Sequence, residues 1–123
     1  MKPFDIEISS IAKGPEELSY QLPINATVLK KIAGQDRPDY HIAELEKSIL
    51  WIDKEKDIKK EISHIVIIAK KKAETVERSM KDVKIGIAYV VDDSLLEDAK
   101  LNFKKCEYLA VGNATAKKKW GLF

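Results

Sequence analysis

Asp92 and Asp93 are the residues best placed by type and position to bind a ligand. They directly follow a predicted strand, and they precede Ser94, where a helix is predicted to begin. α/β proteins commonly bind ligands where a strand's carboxyl end meets a helix, and two carboxylates there could hold Mg²⁺. The same residue types also cap helices for structural reasons alone. A ligand site and a helix cap are both open interpretations of this segment.

The two histidines, His41 and His64, are the other candidates for acid–base chemistry. They lie about equally far from a charged turn near residue 53, so a hairpin would make them possible cross-strand neighbours. A nearby carboxylate such as Glu44 would complete an acid–base pair. Each histidine also shares its predicted strand face with apolar residues, which favours a structural role.

Several other chemistries lack their usual sequence signatures. Cys106, the single cysteine, continues an apolar stripe of the last predicted helix, which predicts a buried and unreactive thiol. One cysteine and two histidines provide no pair at zinc-ligand spacing. The chain also has no glycine-rich phosphate loop and no Gly-x-Ser-x-Gly motif. We therefore expect a non-catalytic protein without a metal or cofactor.

The carboxyl end of the chain is the clearest candidate for binding a partner. Large apolar side chains are costly to leave in water, so this segment is expected to pack on the domain or to dock on another chain. Trp51 raises the same question, because it is either a core residue or an exposed aromatic anchor. The C-terminal candidates are Lys117, Lys118, Lys119, Trp120, Leu122 and Phe123.

The basic residues argue against sequence-specific binding of nucleic acid. The chain has 20 lysines, only two arginines and a net charge of +2. Arginine is the preferred residue for bidentate recognition of phosphates and base edges. Weak, non-specific contact through the lysine clusters 70–72 and 117–119 remains an alternative, although acidic residues lie close to the first cluster.

The hydrophobic pattern of the 123 residues predicts a single α+β domain. Its element order is β-β-α-β-β-(α)-β-α-β, a mixed but mainly antiparallel sheet of about six strands with two or three packed helices. Residues 1–113 form this domain, and residues 114–123 form a basic and aromatic tail. Helices are predicted at 25–33, 70–81 and 94–106, and the last of these forms a βαβ unit with the strands 83–91 and 108–112.

The chain has no apolar stretch of signal-peptide length at its start and no window resembling a membrane span. With its lone cysteine, this pattern predicts a cytoplasmic protein. The leading functional hypothesis is binding to another protein or self-association, as in an inhibitor, immunity or adaptor module. The alternatives are an enzyme or small-ligand binder using Asp92, Asp93 and a histidine, and weak contact with nucleic acid.

Overall fold

The chain folds into a closed barrel of six antiparallel strands. The computed structural model describes residues 2–55 and 57–117. Consecutive strands are neighbours, and β1 closes the barrel by pairing with β6. The strands are β1 (Phe4–Lys13), β2 (Ile24–Ile32), β3 (Tyr40–Asp53), β4 (Ile58–Ala69), β5 (Val83–Val90) and β6 (Cys106–Ala116), and a short helix, α1 (Glu16–Ser19), joins β1 to β2.

The α+β prediction is therefore wrong, because α1 is the one α-helix in the described chain and has only four residues. The predicted helix at 25–33 is strand β2. Ile24, Ala26 and Val28 are buried, and Asn25 and Thr27 between them are half-buried, which is the period of a strand. The β-branched residues of this segment favour that outcome over the helical spacing of its apolar residues.

Two further predicted helices are also absent from the described structure. Residues 70–82 connect β4 to β5 without a helix, and residues 91–105 contain two 3₁₀ turns, Asp93–Glu97 and Phe103–Lys105. β5 and β6 are antiparallel, so the predicted βαβ unit does not form. The hairpin predicted around the charged turn is confirmed, since β3 and β4 pair on either side of it.

Apolar side chains from all six strands fill the interior of the barrel. Small barrels leave just enough space for such side chains, so the interior is a packed core. Leu18 of α1 joins this core from the β1–β2 connection, and Val76 and Met80 join it from residues 70–82. These three residues are buried and close the barrel at its two ends. Val76 and Met80 explain the apolar spacing that predicted a helix.

A second apolar cluster lies on the outer surface of the barrel. Residues 91–105, here called the outer strap, contribute Leu95 and Leu101 to it. The strap is held by a backbone hydrogen bond from the Leu101 N–H to the Ala33 carbonyl, at 2.8 Å. Lys30 Nζ also donates to the carbonyl oxygens of two strap residues, Leu96 and Asp98. The strands contribute Ile32, Ile42, Val66, Val90 and Cys106.

Candidate functional site

Asp92 and Asp93 are exposed at the start of the outer strap. Asp92 Oδ1 accepts a hydrogen bond from the Ser94 N–H at 2.9 Å, and this bond lowers the pKa of Asp92. Asp92 thus caps the first 3₁₀ turn. Among the described residues, no three His, Cys, Asp or Glu side chains are grouped so that they could hold a metal ion. The geometry of this segment is that of a cap.

The two histidines are not cross-strand neighbours, and His41 is buried whereas His64 is partly exposed. His41 is opposite Ile67, whereas His64 is opposite Glu44. Asp53 itself pairs with Ile58, so the turn lies later in the chain than the prediction required, and the three extra residues that bulge from β3 between Glu44 and Ile49 correct only part of this offset. The predicted pairing of His41 with His64 is therefore wrong.

His41 is 3% exposed, and its Nδ1 donates to the Asp39 carbonyl at 3.1 Å. Burial is the main cause that lowers the pKa of this imidazole, so the neutral form is favoured. His64 is half-buried, with Nε2 3.3 Å from Glu44 Oε2 and Nδ1 3.1 Å from Ser63 Oγ. This Ser–His–Glu contact lies on the surface of the barrel wall, and none of its members lines a described cavity.

Trp51 is half-buried and packs against the interior core, with its ring centroid 4.7 Å from that of Tyr89. The Tyr89 hydroxyl donates a short hydrogen bond to Glu107. Of the C-terminal candidates, Lys117 is exposed, and its N–H donates to the Asp5 carbonyl at 2.8 Å. The others, Lys118, Lys119, Trp120, Leu122 and Phe123, lie outside the described residues.

An apolar groove on the outer faces of β4, β5 and β6 is a candidate binding surface. The outer strap covers part of this wall, and the groove is the neighbouring part that it leaves open. The groove has a volume of about 320 Å³. It is lined by Val66, Ile68, Lys70, Gly86, Ile87, Ala88, Phe103, Cys106 and Tyr108.

The floor and walls of the groove differ in exposure. Val66 and Cys106 are buried and belong to the outer cluster, and burial raises the pKa of the Cys106 thiol, which favours the unreactive protonated form. Phe103 is 44% exposed and Tyr108 is 63% exposed. Gly86 also lines the groove. Because glycine has no side chain, the groove is deeper at this position.

One exposed lysine lines the groove, and two more are next to its lining residues. Lys70 lines it, and the Lys70 N–H donates to the carbonyl of Lys84, a second exposed lysine. Lys104 follows Phe103 in the strap and is also exposed. Within residues 2–55 and 57–117, none of these three lysines is in an ion pair. The groove is thus apolar at its centre and positively charged at its border.

Some of the residues that form this groove were recognisable from the sequence. Residues 65–69 are apolar on both strand faces, and Gly86 and Ala88 are small residues on the second face of β5. The sequence therefore predicted that both faces would be covered. It did not identify Phe103 and Tyr108 as exposed walls, since Phe103 was assigned to the buried face of a helix that does not form.

Comparison of the chain with protein-family models, curated proteins and solved structures found no match. Within the described part of the chain, no helix combines the length and apolar character required to cross a membrane.

Proposed function

We propose that this protein binds another protein through the apolar groove, and that the partner presents apolar side chains flanked by acidic residues. The observation that carries the proposal is the exposure of Phe103 and Tyr108 on both sides of a buried apolar floor. Aromatic residues next to a desolvated pocket are the residue type that contributes most to protein interfaces.

The charge around the groove selects the kind of partner. Lys70, Lys84 and Lys104 place positive charge at the border without carboxylate partners in the described chain. Carboxylates on a partner would interact favourably with them and would speed association. A partner with a basic border would be repelled, so the same lysines also contribute to specificity.

The packing of the barrel favours binding on its outer surface. Side chains fill the interior, and Leu18, Val76 and Met80 close the ends. A small molecule would therefore have to displace core residues to enter the barrel. The groove on the outer wall needs no such rearrangement, because its volume of about 320 Å³ is already open.

Selection of peptides from a random library displayed on phage, using the intact protein as the target, tests this proposal. The selected peptides are expected to combine aromatic or aliphatic residues with Asp or Glu. Their affinity is expected to fall at least about tenfold with Tyr108→Ser, which removes one wall. Gly86→Val, which fills the floor, is expected to have a similar effect. Higher salt should also weaken binding, since the lysines are exposed.

Tyr20→Ser is the matched control, because Tyr20 is 74% exposed but does not line the groove. It should leave peptide affinity unchanged. Peptides that bind equally well to the Tyr108 and Gly86 variants would overturn the proposal, and so would a selected set rich in basic residues. A dimer in sedimentation equilibrium that Tyr108→Ser dissociates would identify a second copy of the chain as the occupant and would overturn the assignment of an acidic partner.

We further propose that the protein functions in the cytoplasm. Its one cysteine is a free thiol held in an apolar cluster, and such a thiol is maintained in a reducing compartment.

A further inference from the structure

A second cavity adjoins the apolar groove, at the place where the outer strap meets the end of β2. It has a volume of about 700 Å³ and is here called the strap pocket. The strap and the residue after β2 are joined there by a bridge between Ala33 and Lys100. Phe103 lines the strap pocket and also lines the groove. The two cavities therefore share one aromatic wall.

Contacts within the chain hold this shared wall in place. The ring of Tyr40 packs edge to face against Phe103, with the ring centroids 5.7 Å apart. Tyr40 is half-buried, and its hydroxyl donates to the Asp36 carboxylate, with its oxygen 2.9 Å from Oδ2. The wall between the two cavities is thus positioned before any partner binds.

The strap pocket is lined by two lysines and by no carboxylate. Lys100 and Lys104 are exposed, and in the part of the chain that the structure describes neither forms an ion pair. Asp98, the acidic residue closest to them along the chain, is already paired with Lys105 at 2.7 Å. The pocket therefore presents positive charge that complements a carboxylate of a partner.

The other wall of the groove adjoins a cavity of the opposite charge. Tyr108 lines the groove and also lines this further cavity, together with Glu16, Glu17 and Glu55. Lys54 lines it as well, with its Nζ 3.2 Å from Glu17 Oε1. Three carboxylates and one ammonium group make the Tyr108 side unfavourable for an acidic residue of a partner.

We propose that the partner places an Asp or Glu side chain in the strap pocket and an aromatic or aliphatic side chain beside it in the groove. This inference rests on the proposed function, and it specifies the side of the groove that receives the acidic residue. An extended segment advances about 3.3 Å per residue, so neighbouring residues of a partner can reach two cavities that share a single side chain.

Titration of the ¹⁵N-labelled protein with short blocked peptides, followed by NMR, tests this placement. N-acetyl-Glu-Trp-amide and N-acetyl-Trp-Glu-amide each carry a side-chain carboxylate and no charged terminus. The same peptides with Gln in place of Glu are the neutral controls. We expect saturable shifts at the backbone amides of Gly86 in the groove and Asn102 in the strap pocket, with half-saturation in the millimolar range.

The carboxylate should strengthen binding when the ionic strength is low. At about 20 mM, where exposed charges are weakly screened, the better of the two Glu peptides should bind about fivefold more tightly than its Gln counterpart. The order of residues in that peptide gives the direction of the partner's chain across Phe103.

Two double variants separate the strap pocket from the rest of the positive border. Lys100→Met combined with Lys104→Met should reduce the preference for Glu over Gln to less than about twofold. Lys70→Met combined with Lys84→Met removes the same amount of charge and is the matched control. It should leave most of the preference, because neither residue lines the strap pocket.

Saturable shifts at Gly86 without a preference for Glu over Gln would overturn this inference and leave the groove intact as a binding surface. An equal loss of preference in the two double variants would also overturn it, since the carboxylate would then respond to the whole border. The absence of saturable shifts at Gly86 with all of these peptides would contradict the groove itself, and this inference with it.

Discussion

Arg37 and Asp39, only two residues apart, form a bidentate ion pair beside β3. Arg37 Nε donates to Asp39 Oδ1 at 2.9 Å, and Nη2 donates to Oδ2 at 2.6 Å. The remaining nitrogen, Nη1, donates to the carbonyl of Ala69 at the end of β4. Each side chain is only 18% exposed. The pair thus ties the β2–β3 connection to the end of a neighbouring strand.

Replacing Arg37 by Met is expected to lower the free energy of unfolding by about 2 kcal/mol, because the carboxylate of Asp39 then stays largely buried without its partner. Urea denaturation measures this change. Lys72→Met, at an exposed lysine, is the control and should alter stability by less than about 0.5 kcal/mol. Equal stability of the two variants would contradict a structural role for the pair.

Acidification from pH 7 to pH 5 is expected to destabilise the fold through His41. Burial lowers the pKa of His41 in the folded state from its ordinary value of 6.5. Below that value the unfolded chain takes up a proton before the folded protein does. The contribution to stability is therefore complete above about pH 6.5, and it is lost as the pH falls toward the folded pKa. The slope can reach about 1.4 kcal/mol per pH unit.

Denaturant unfolding across this pH range measures the effect of His41. His41→Gln should flatten the pH dependence whatever its effect on stability at pH 7. His64→Gln is the matched control, since His64 is half-buried and lies on the outer surface. If the pH dependence of stability persisted in His41→Gln and disappeared in His64→Gln, it would arise from His64, and the prediction would be contradicted.

Leu95 anchors the outer strap, because its side chain is fully buried in the outer cluster. Leu95→Ala is expected to lower the free energy of unfolding by about 2–4 kcal/mol, as in other buried leucine truncations. It should also weaken the hydrogen bond between the Leu101 N–H and the Ala33 carbonyl.

Hydrogen exchange detects this local change at the Leu101 amide. Leu96→Ala is the control, since Leu96 is the half-buried neighbour in the same 3₁₀ turn. It should have a smaller effect on stability and on exchange. Unchanged protection of the Leu101 amide in Leu95→Ala would show that the strap is held by its polar contacts alone.

Gly112 and Gly86 should respond differently to the same substitution. A Cβ atom at Gly112 would overlap the Ser10 carbonyl oxygen of β1, a backbone atom that cannot move without opening the β1–β6 pairing. A Cβ atom at Gly86 would lie 3.4 Å from Lys70 Cδ and 3.5 Å from Ile68 Cγ2, which are ordinary contacts.

Gly112→Ala is therefore expected to lower the free energy of unfolding by about 3 kcal/mol. Gly86→Ala should change the free energy of unfolding by less than about 1 kcal/mol, because the higher strand propensity of alanine partly offsets the cost of the new Cβ contacts. Thermal unfolding of the two variants measures the difference. Equal melting temperatures of the two variants would contradict the close approach of β1 to β6 at Gly112.

The sequence was informative where the hydrophobic period was unambiguous, and it failed where a buried side chain lies outside a regular element. Residues 40–52, 58–70 and 83–91 were predicted as strands, and β3, β4 and β5 lie there. Val76 and Met80 have helical spacing, but they lie in the connection between β4 and β5 and pack into the interior core. These residues are buried because they cover an open end of the barrel. The barrel closes through pairing of strands that are distant in sequence, and the local hydrophobic pattern does not contain this information.

The binding surfaces were harder to predict for the same reason. Asp92 and Asp93 stood out because carboxylates are recognisable in a sequence, yet Asp92 caps a turn. The groove exists because the outer strap covers only part of the outer faces of β4 and β5. The three-residue bulge in β3 between Glu44 and Ile49 was not predictable either, because residues 45–49 contain no glycine or proline.

The pairing of β1 with β6 has a consequence for biosynthesis. Translation produces β1 before the other five strands, so its partner on this side is missing until β6 has been made. During that time β1 and the growing end of the sheet expose unpaired backbone edges, which favour aggregation. Contacts between such distant segments also slow folding. The incomplete chain, rather than the finished barrel, is therefore the stage at which its backbone edges are most exposed to pairing with other chains.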